Sequence, residues 1–156
     1  MALETDMLME PELITDEWIR AQHLGFQEND GGRSQYYKGK NVGDCVTRAI
    51  AIVTGRDYKE VYDYVKSKIG KTPRNGVPKK KVKEIFKEFG GKWYPLMGIG
   101  TGCKSHLRYG EVPVTGKWIC QLSHHVTVVI NGVINDTYHP GEDRCVYGIW
   151  SFNNFK

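Results

Sequence analysis

Four cysteines and five histidines are the side chains of this chain best suited to nucleophilic or metal chemistry. Cys45 differs from the other cysteines because it follows a Gly-containing turn and opens an apolar-periodic segment that predicts a helix. A thiol in the first turn of a helix lies beside free backbone N–H groups and the positive end of the helix dipole, which stabilise a thiolate. The same N–H groups can hold an oxyanion during acyl transfer. Cys45 is therefore a candidate nucleophile, and the alternative is a small buried hydrophobic residue.

The other three cysteines have no CxxC spacing and are expected to be free thiols in a reducing compartment. Cys120 lies within a predicted strand and Cys145 precedes another, which is consistent with core packing. Cys103 opens a Cys-x-x-His motif in a Gly-rich loop, so one alternative is zinc held by Cys103, His106 and a distant pair such as His124 and Cys145. A single motif of this kind is a weak signal, and neither a metal nor a cofactor is predicted.

The most informative segment is a predicted hairpin that follows these loops. Asn131-Gly132 stands between two β-branched runs and predicts a two-residue type I′ turn. In the register that this turn sets, Thr127 is opposite Asp136, and residues two apart share a face, so His125 projects from the same side as both. His125 and Asp136 are then diagonal neighbours, about 7–8 Å apart at Cα, and their side chains can meet. The hairpin therefore supplies a candidate base and a carboxylate to orient it.

Other assignments of the histidines remain open. A register slip of one residue would pair His124 with Asn135 instead. In the predicted register His124 lies on the opposite, more apolar face, which is expected to turn toward the core. His125 could also be a strand histidine without a chemical role. His139, just past the second strand, is expected to be a loop residue.

Helices are predicted first and strands second, which is typical of the α+β class. The helices are expected from Cys45 to Gly55, from a cap at Asp57 to Gly70, and from Pro78 to Gly90. Alternating apolar residues then predict antiparallel strands over 118–122, 126–130, 133–136 and 144–150, after a Gly-rich loop over 98–110.

The chain of 156 residues is long enough for one domain, which is expected over 37–156. Residues 1–36 are predicted to be an N-terminal extension with a peripheral helix from Thr15 to Leu24 and a loop over 28–32.

The charge of the chain bears on which classes of partner it is expected to bind. The net charge of +4 is mild, and its largest basic block, Lys79-Lys80-Lys81, opens the third helix. That block is either a contact for phosphate or an acidic partner, or a solvated helix face, and the solvated face is favoured. Nucleic-acid binding is not indicated, and the oligomeric state is not predicted.

No apolar run approaches the roughly 18 residues of a membrane span, and the acidic N-terminus does not resemble a secretory signal. A cytoplasmic location without membrane contact is the expectation.

The order of these parts resembles that of the papain-like cysteine peptidases: a Cys at a helix start, a His opening a strand, and an Asp on the next strand. The resemblance is strongest to the double-glycine-type peptidases of bacteria and phages, in which a Val-rich strand follows the His, as here after His125, and the Asp ends the returning strand, as Asp136 does. Residues 43–50 also resemble the nucleophile helix of ovarian-tumour-type deubiquitinases. The similarity covers about 41–150 and implies a papain-like fold.

The resemblance implies hydrolysis of a peptide or isopeptide bond in a peptide or protein substrate, with Cys45 as nucleophile, His125 as base and Asp136 orienting the base. Papain-like peptidases commonly carry a Gln six residues before the Cys to line the oxyanion hole, and here that position is Gly39. Asn41 is the nearest amide side chain for this role, although it could equally be a turn residue.

Two further functions remain open at this point. An acyltransferase could use the same triad, with an amine in place of water. A non-catalytic papain-like binding module would instead contact a protein partner through the loop 98–110 and the basic helix 78–89.

Overall fold

The computed structural model describes residues 23–39, 43–98 and 100–153. These residues form three α-helices and a six-stranded sheet, which confirms the α+β class. The helices are α1 (Cys45–Thr54), α2 (Tyr58–Ile69) and α3 (Lys79–Glu88), and the strands are β1 (Gly25–Glu28), β2 (Lys92–Pro95), β3 (Lys117–Leu122), β4 (His125–Ile130), β5 (Val133–Asp136) and β6 (Gly148–Ser151). Within the described ranges, no helix has the length and apolar character that a membrane crossing requires.

The three predicted helices are confirmed, and two of them have the end signals on which the predictions rest. The Asp57 carboxylate accepts a hydrogen bond of 3.3 Å from the backbone N–H of Glu60 at the start of α2. Helices α1 and α2 end at Gly55 and Gly70, whose φ angles of 72° and 74° are left-handed. The peripheral helix expected between Thr15 and Leu24 falls almost entirely on residues outside the described ranges.

The sheet has the strand order β1-β5-β4-β3-β6-β2. The sequence predicts an antiparallel sheet, and this is wrong at one edge. There β1 runs parallel to β5, so the sheet is mixed. The sequence analysis assigns residues 25–28 to the N-terminal extension. These residues have no apolar alternation that would predict a strand, and the structure shows their side chains exposed. They are joined to the sheet through backbone bonds, among them Gly25 N–H to Gly132 O at 2.8 Å. Strand β2, at the other edge, is also not predicted by the sequence.

The β4–β5 hairpin has the predicted register. Asn131 and Gly132 have φ angles of 48° and 78°, as a type I′ turn requires, and Val128 pairs with Asn135. The last predicted strand is shorter than expected: regular pairing begins at Gly148.

Apolar clusters cover both faces of the sheet. On one face, the helices contribute residues such as Val46, Ile50 and Phe86, which pack with Val126 and Val128 of β4. This is the apolar hairpin face that is expected to turn to the core. A second cluster, from strands and loop segments, consists of Leu24, Leu107, Val112, Cys120, Leu122, Val129, Ile134, Val146 and Ile149. Packing of α1 against β4 fixes the first residue of α1 relative to the first residue of β4.

Cys103 and Cys145 form a disulfide, which corrects the prediction that all four cysteines are free thiols. The segment around Cys103 pairs with the segment around Cys145, through backbone bonds from Leu107 N–H to Arg144 O (3.0 Å) and from Val146 N–H to Ser105 O (2.8 Å). This pairing brings the two Cα atoms to 5.7 Å, within the range of a disulfide. Spacing in the sequence does not reveal it, because the loop at 98–110 has no pattern that predicts its partner. Cys45 and Cys120 are free.

Candidate active site

Cys45 is the first residue of α1 and is half-buried. Its position at the N-terminus of a 10-residue helix places the thiol beside the unpaired N–H groups and positive dipole end of that helix. His125 is the first residue of β4, the strand on which α1 packs. The two side chains therefore meet where helix and strand begin together.

The structure brings Cys45, His125 and Asp136 together. The His125 Nε2 atom is 2.7 Å from Asp136 Oδ2, Cys45 and Asp136 line one small cavity, and the interaction with His125 lowers the pKa of the Cys45 thiol. Because Asp136 occupies Nε2, the remaining ring nitrogen, Nδ1, is the one that can face the thiol. His125 is 8% exposed and Asp136 is 3% exposed, so both groups interact with little competition from water.

Neighbouring groups fix the Asp136 carboxylate and the imidazole. The Thr127 hydroxyl donates to Asp136 Oδ2 at 2.6 Å, and the Thr137 N–H donates to Oδ1 at 2.7 Å. The Tyr138 ring lies over the His125 ring, with their centroids 5.3 Å apart. An imidazole held in this way has one orientation and one nitrogen directed at the carboxylate.

The pKa shifts of the three groups favour the charged forms. Burial raises the pKa of the Cys45 thiol, but the hydrogen bond and charge of His125 outweigh it, so the pKa lies below its ordinary value of 9.0. Burial lowers the pKa of His125, but the bonds to Asp136 and Cys45 raise it to about 9. Burial likewise opposes ionisation of Asp136, whose pKa is nevertheless lowered by His125 and Thr127. The three shifts therefore favour the ion pair of a thiolate and an imidazolium over the neutral pair.

A buried ionic network continues from the carboxylate. The Arg48 guanidinium lies 3.7 Å from Asp136 Oδ1 and is hydrogen-bonded to Asp44, the residue that precedes α1. Asp44 also meets Arg33 Nε at 3.2 Å and accepts a 2.6 Å hydrogen bond from the Tyr58 hydroxyl. Arg33 in turn donates to the carbonyls of residues 38 and 39, in the segment that leads to α1. The residue before the candidate nucleophile is thus held from three sides.

Sequence reasoning did not identify this network. The spacing of Asp44 and Arg48, four residues apart on a predicted helix, is a signal that could have been used. No local pattern connects either residue with Arg33 or with Asp136, because those contacts join distant parts of the chain.

The other two histidines considered for the hairpin, His124 and His139, lie outside strands β4 and β5. His124 lies in the exposed turn between β3 and β4, with a left-handed φ of 57°. Its proposed partner Asn135 accepts a hydrogen bond from the Asn29 side chain at 3.1 Å and donates to Val133 O. His139 follows β5, as expected, and its Nδ1 atom accepts a bond from the Gly141 N–H at 2.9 Å. Asn41, the candidate oxyanion donor, lies outside the described residues.

Two cavities adjoin this network. One, of about 10 Å³, has room for roughly one water and is lined by Cys45, Arg48, Ala49, Ile52, Val126, Thr127, Val128, Asn135 and Asp136. The other, of about 260 Å³, lies on the Asp44 side and is lined by basic and aromatic residues: Arg33, Tyr36, Tyr37, Lys38, Tyr58, Tyr62 and Arg74. Among the residues that the structure describes, the cavity beside the thiol is therefore small.

Comparison of the chain with protein-family models, with curated proteins and with solved structures found no significant match. Function is therefore inferred from the site itself.

Proposed function

We propose that this chain is a papain-like cysteine hydrolase that cleaves a peptide or isopeptide bond through a thioester intermediate. The observation that carries the proposal is the 2.7 Å pair of His125 and Asp136 beside the Cys45 thiol, whose pKa His125 lowers. A nucleophile bonded to a base, with the base bonded to an orienting carboxylate, is the arrangement that activates thiols for acyl transfer.

Each residue of the triad has a defined role in this reaction. The Cys45 thiolate attacks the substrate carbonyl carbon while His125 carries the proton that the thiol has given up. N–H groups in the first turn of α1 stabilise the oxyanion that forms. The His125 imidazolium then protonates the leaving amine, and Asp136 keeps the ring oriented throughout. In the second half, His125 takes a proton from water, the resulting hydroxide attacks the thioester, and the acid product leaves.

The alternating charges of the buried network also support a Cys45 thiolate paired with a His125 imidazolium. With Cys45 as thiolate and His125 as imidazolium, positive and negative groups follow one another from Cys45 through His125, Asp136 and Arg48 to Asp44. Buried charges are tolerated when each has an opposite partner. A neutral Cys45 and a neutral His125 would leave Asp136 with weaker compensation at this end of the network.

The order of the elements that carry the site also supports the proposal of a papain-like core. A helix that begins with the Cys packs on antiparallel strands that supply the His and the Asp in that chain order. The parallel strand β1 at the edge lies beyond β5 and does not alter this arrangement.

The proposal can be tested without knowing the substrate. Activated p-nitrophenyl esters should acylate Cys45 rapidly and release a burst of p-nitrophenolate equal to one equivalent of enzyme, followed by slower turnover. The Cys45→Ser variant should show no burst, and Cys120→Ser, which removes the other free thiol, should retain it. No burst from the unmodified protein, or an equal burst from Cys45→Ser, would rule out this nucleophile.

The same assay separates hydrolysis from transfer. Adding a primary amine at increasing concentration should leave the acid as the main product if the enzyme is a hydrolase. Predominant amide formation at low amine concentration would identify an acyltransferase with the same triad.

A further inference from the structure

A second cluster of reactive side chains lies in the loop segments around residues 103 and 145, apart from the Cys45 triad. One ligand atom from each of Cys103, His106 and Cys145 lies within 4.8 Å of the other two. His106 and Cys145 are joined by an isolated β-bridge, so the backbone holds these two residues together independently of any bond between the sulfurs, and Cys103 lies three residues before His106. Cys103 is exposed and the other two are partly exposed, which leaves a path for an ion.

The His106 ring is oriented by a carboxylate. Its Nδ1 atom lies 2.9 Å from Glu111 Oε1, and the same oxygen accepts a bond from the His106 N–H at 3.1 Å. Histidines that bind metals almost always direct their second ring nitrogen at a carboxylate, carbonyl or water in this way. Glu111 thus leaves Nε2 of His106 as the nitrogen available for a ligand.

We propose that Cys103, Cys145 and His106 bind a thiophilic divalent cation such as Zn²⁺ when the disulfide is reduced. Two thiolates and an imidazole are a common zinc donor set, and three protein ligands leave the fourth tetrahedral position to water or another ligand. Two thiolates also neutralise a divalent charge. His124, which the sequence suggested as a fourth ligand, is not part of this cluster.

The site changes between a disulfide state and a metal-bound dithiolate state by reduction followed by metal binding. A dithiol reductant supplies two electrons and two protons; its sulfurs form a disulfide, and Cys103 and Cys145 become thiols. The cation then displaces two thiol protons and forms two metal–sulfur bonds. The loop at 103–111 therefore stays joined to the segment at 144–146 in both states, by the disulfide under oxidising conditions and by the metal under reducing conditions.

Cobalt binding tests this site directly, because thiolate-bound Co²⁺ absorbs strongly in the near ultraviolet and visible. The protein is reduced with dithiothreitol, separated from it without oxygen, and titrated with Co²⁺ while far-ultraviolet circular dichroism follows the fold. The expected result is one equivalent of thiolate-bound Co²⁺ that Zn²⁺ displaces. The oxidised protein should show no such absorption.

The cysteine variants identify the ligands. Cys103→Ser should abolish the thiolate absorption, and Cys45→Ser should leave it unchanged. The proposal is overturned if the reduced protein shows no such band, if the band persists in Cys103→Ser, if Cys45→Ser removes it, or if binding occurs only in a chain that has lost its dichroism.

A conservative variant tests the oriented histidine while leaving the disulfide and its cysteines in place. Glu111→Gln should weaken Zn²⁺ binding by the reduced protein about 10–100-fold, measured by competition with a chromophoric chelator. Asp143→Asn is the matched control, because both carboxylates pair with Arg108 but only Glu111 reaches His106. Equal affinities of Glu111→Gln and the unmodified protein would overturn the role of Glu111 in positioning His106 as a ligand.

Discussion

Cys45 and Cys120 are both free cysteines, yet their surroundings give them opposite chemistry. Cys120 is fully buried in β3, and burial raises its pKa to about 12. Cys45 is half-buried, and burial raises its pKa too, but the interaction with His125 outweighs that effect and lowers the pKa. Since the thiolate is the nucleophile, only Cys45 is expected to react at neutral pH. The difference comes from the histidine partner and not from exposure alone.

The Asp136→Asn substitution tests the orienting role at the residue scale. The amide keeps the size of the carboxylate and can still accept from the Thr127 hydroxyl, but it no longer stabilises the imidazolium. We expect the p-nitrophenolate burst rate to fall by on the order of 10²–10⁴, as at the carboxylate of a serine triad. Asp143→Asn, at an exposed carboxylate away from the triad, should leave the burst rate unchanged. A burst rate retained in Asp136→Asn would remove Asp136 from the mechanism.

The sequence predicts that Cys45 opens a helix and that His125 and Asp136 lie together, because both features have local signals. The helix start at Cys45 follows from its apolar period, and Asn131-Gly132 sets the hairpin register that puts His125 and Asp136 together. The Arg33–Asp44 contact joins residues without a shared element, so no periodicity could predict it.

At the scale of elements, strands β1 and β2 show what sequence patterns miss. Both lie at sheet edges, where side chains are mostly exposed and apolar alternation is absent. Strand β2 even ends in Pro95, a residue compatible with an edge strand but not with the centre of a sheet. The helices were predicted more accurately because caps and apolar stripes are local signals.

A glycine at the start of β6 gives a stability prediction for these edge contacts. A Cβ atom at Gly148 would lie 2.1 Å from the Trp93 ring of β2, so Gly148→Ala must displace the ring or the strand. We expect a loss of about 1–3 kcal/mol in the free energy of unfolding, measured with urea. Gly98→Ala is the control, since its Cβ meets only ordinary contacts with Thr101. Equal stability of the two variants would contradict the β2–β6 packing.

At the scale of the whole molecule, the buried ionic network links the segment before α1, helices α1 and α2, and strand β5. Asp44 is central to it, since it contacts Arg33, Arg48 and Tyr58. The network connects the site to the fold, because the residue that precedes Cys45 is the one that these groups hold.

The Asp44→Asn substitution tests that connection. Removing one partner of a buried ion pair leaves the other uncompensated, so we expect a loss of about 3–5 kcal/mol in the free energy of unfolding. Glu60→Gln, which breaks the exposed pair with Arg56, should change stability only slightly. Urea unfolding of both variants measures the difference. A loss for Asp44→Asn as small as that for Glu60→Gln would mean that the network does not stabilise the fold.

The disulfide is the main whole-molecule feature that the sequence did not predict. Cys103 and Cys145 are 42 residues apart, and their approach depends on how an irregular loop pairs with the segment before β6. Local periodicity carries no information about such a pairing.

The pH dependence of Cys45 alkylation tests the central claim most directly. Iodoacetamide is added between pH 5 and 10, and the modified cysteines are identified by mass spectrometry in the protein and in His125→Ala. Because His125 lowers the pKa of the thiol, the rate at Cys45 should rise through an inflection below 9.0, while Cys120 stays unreactive. In His125→Ala the main opposition to burial is lost and only the Val126 backbone and the Arg48 charge still lower the pKa, so the inflection should move up toward 9.0. The smaller thiolate fraction should then slow alkylation of Cys45 at pH 7. An inflection at or above 9.0 in the unmodified protein, unchanged by His125→Ala, would contradict the activated thiol and leave a binding module as the better account.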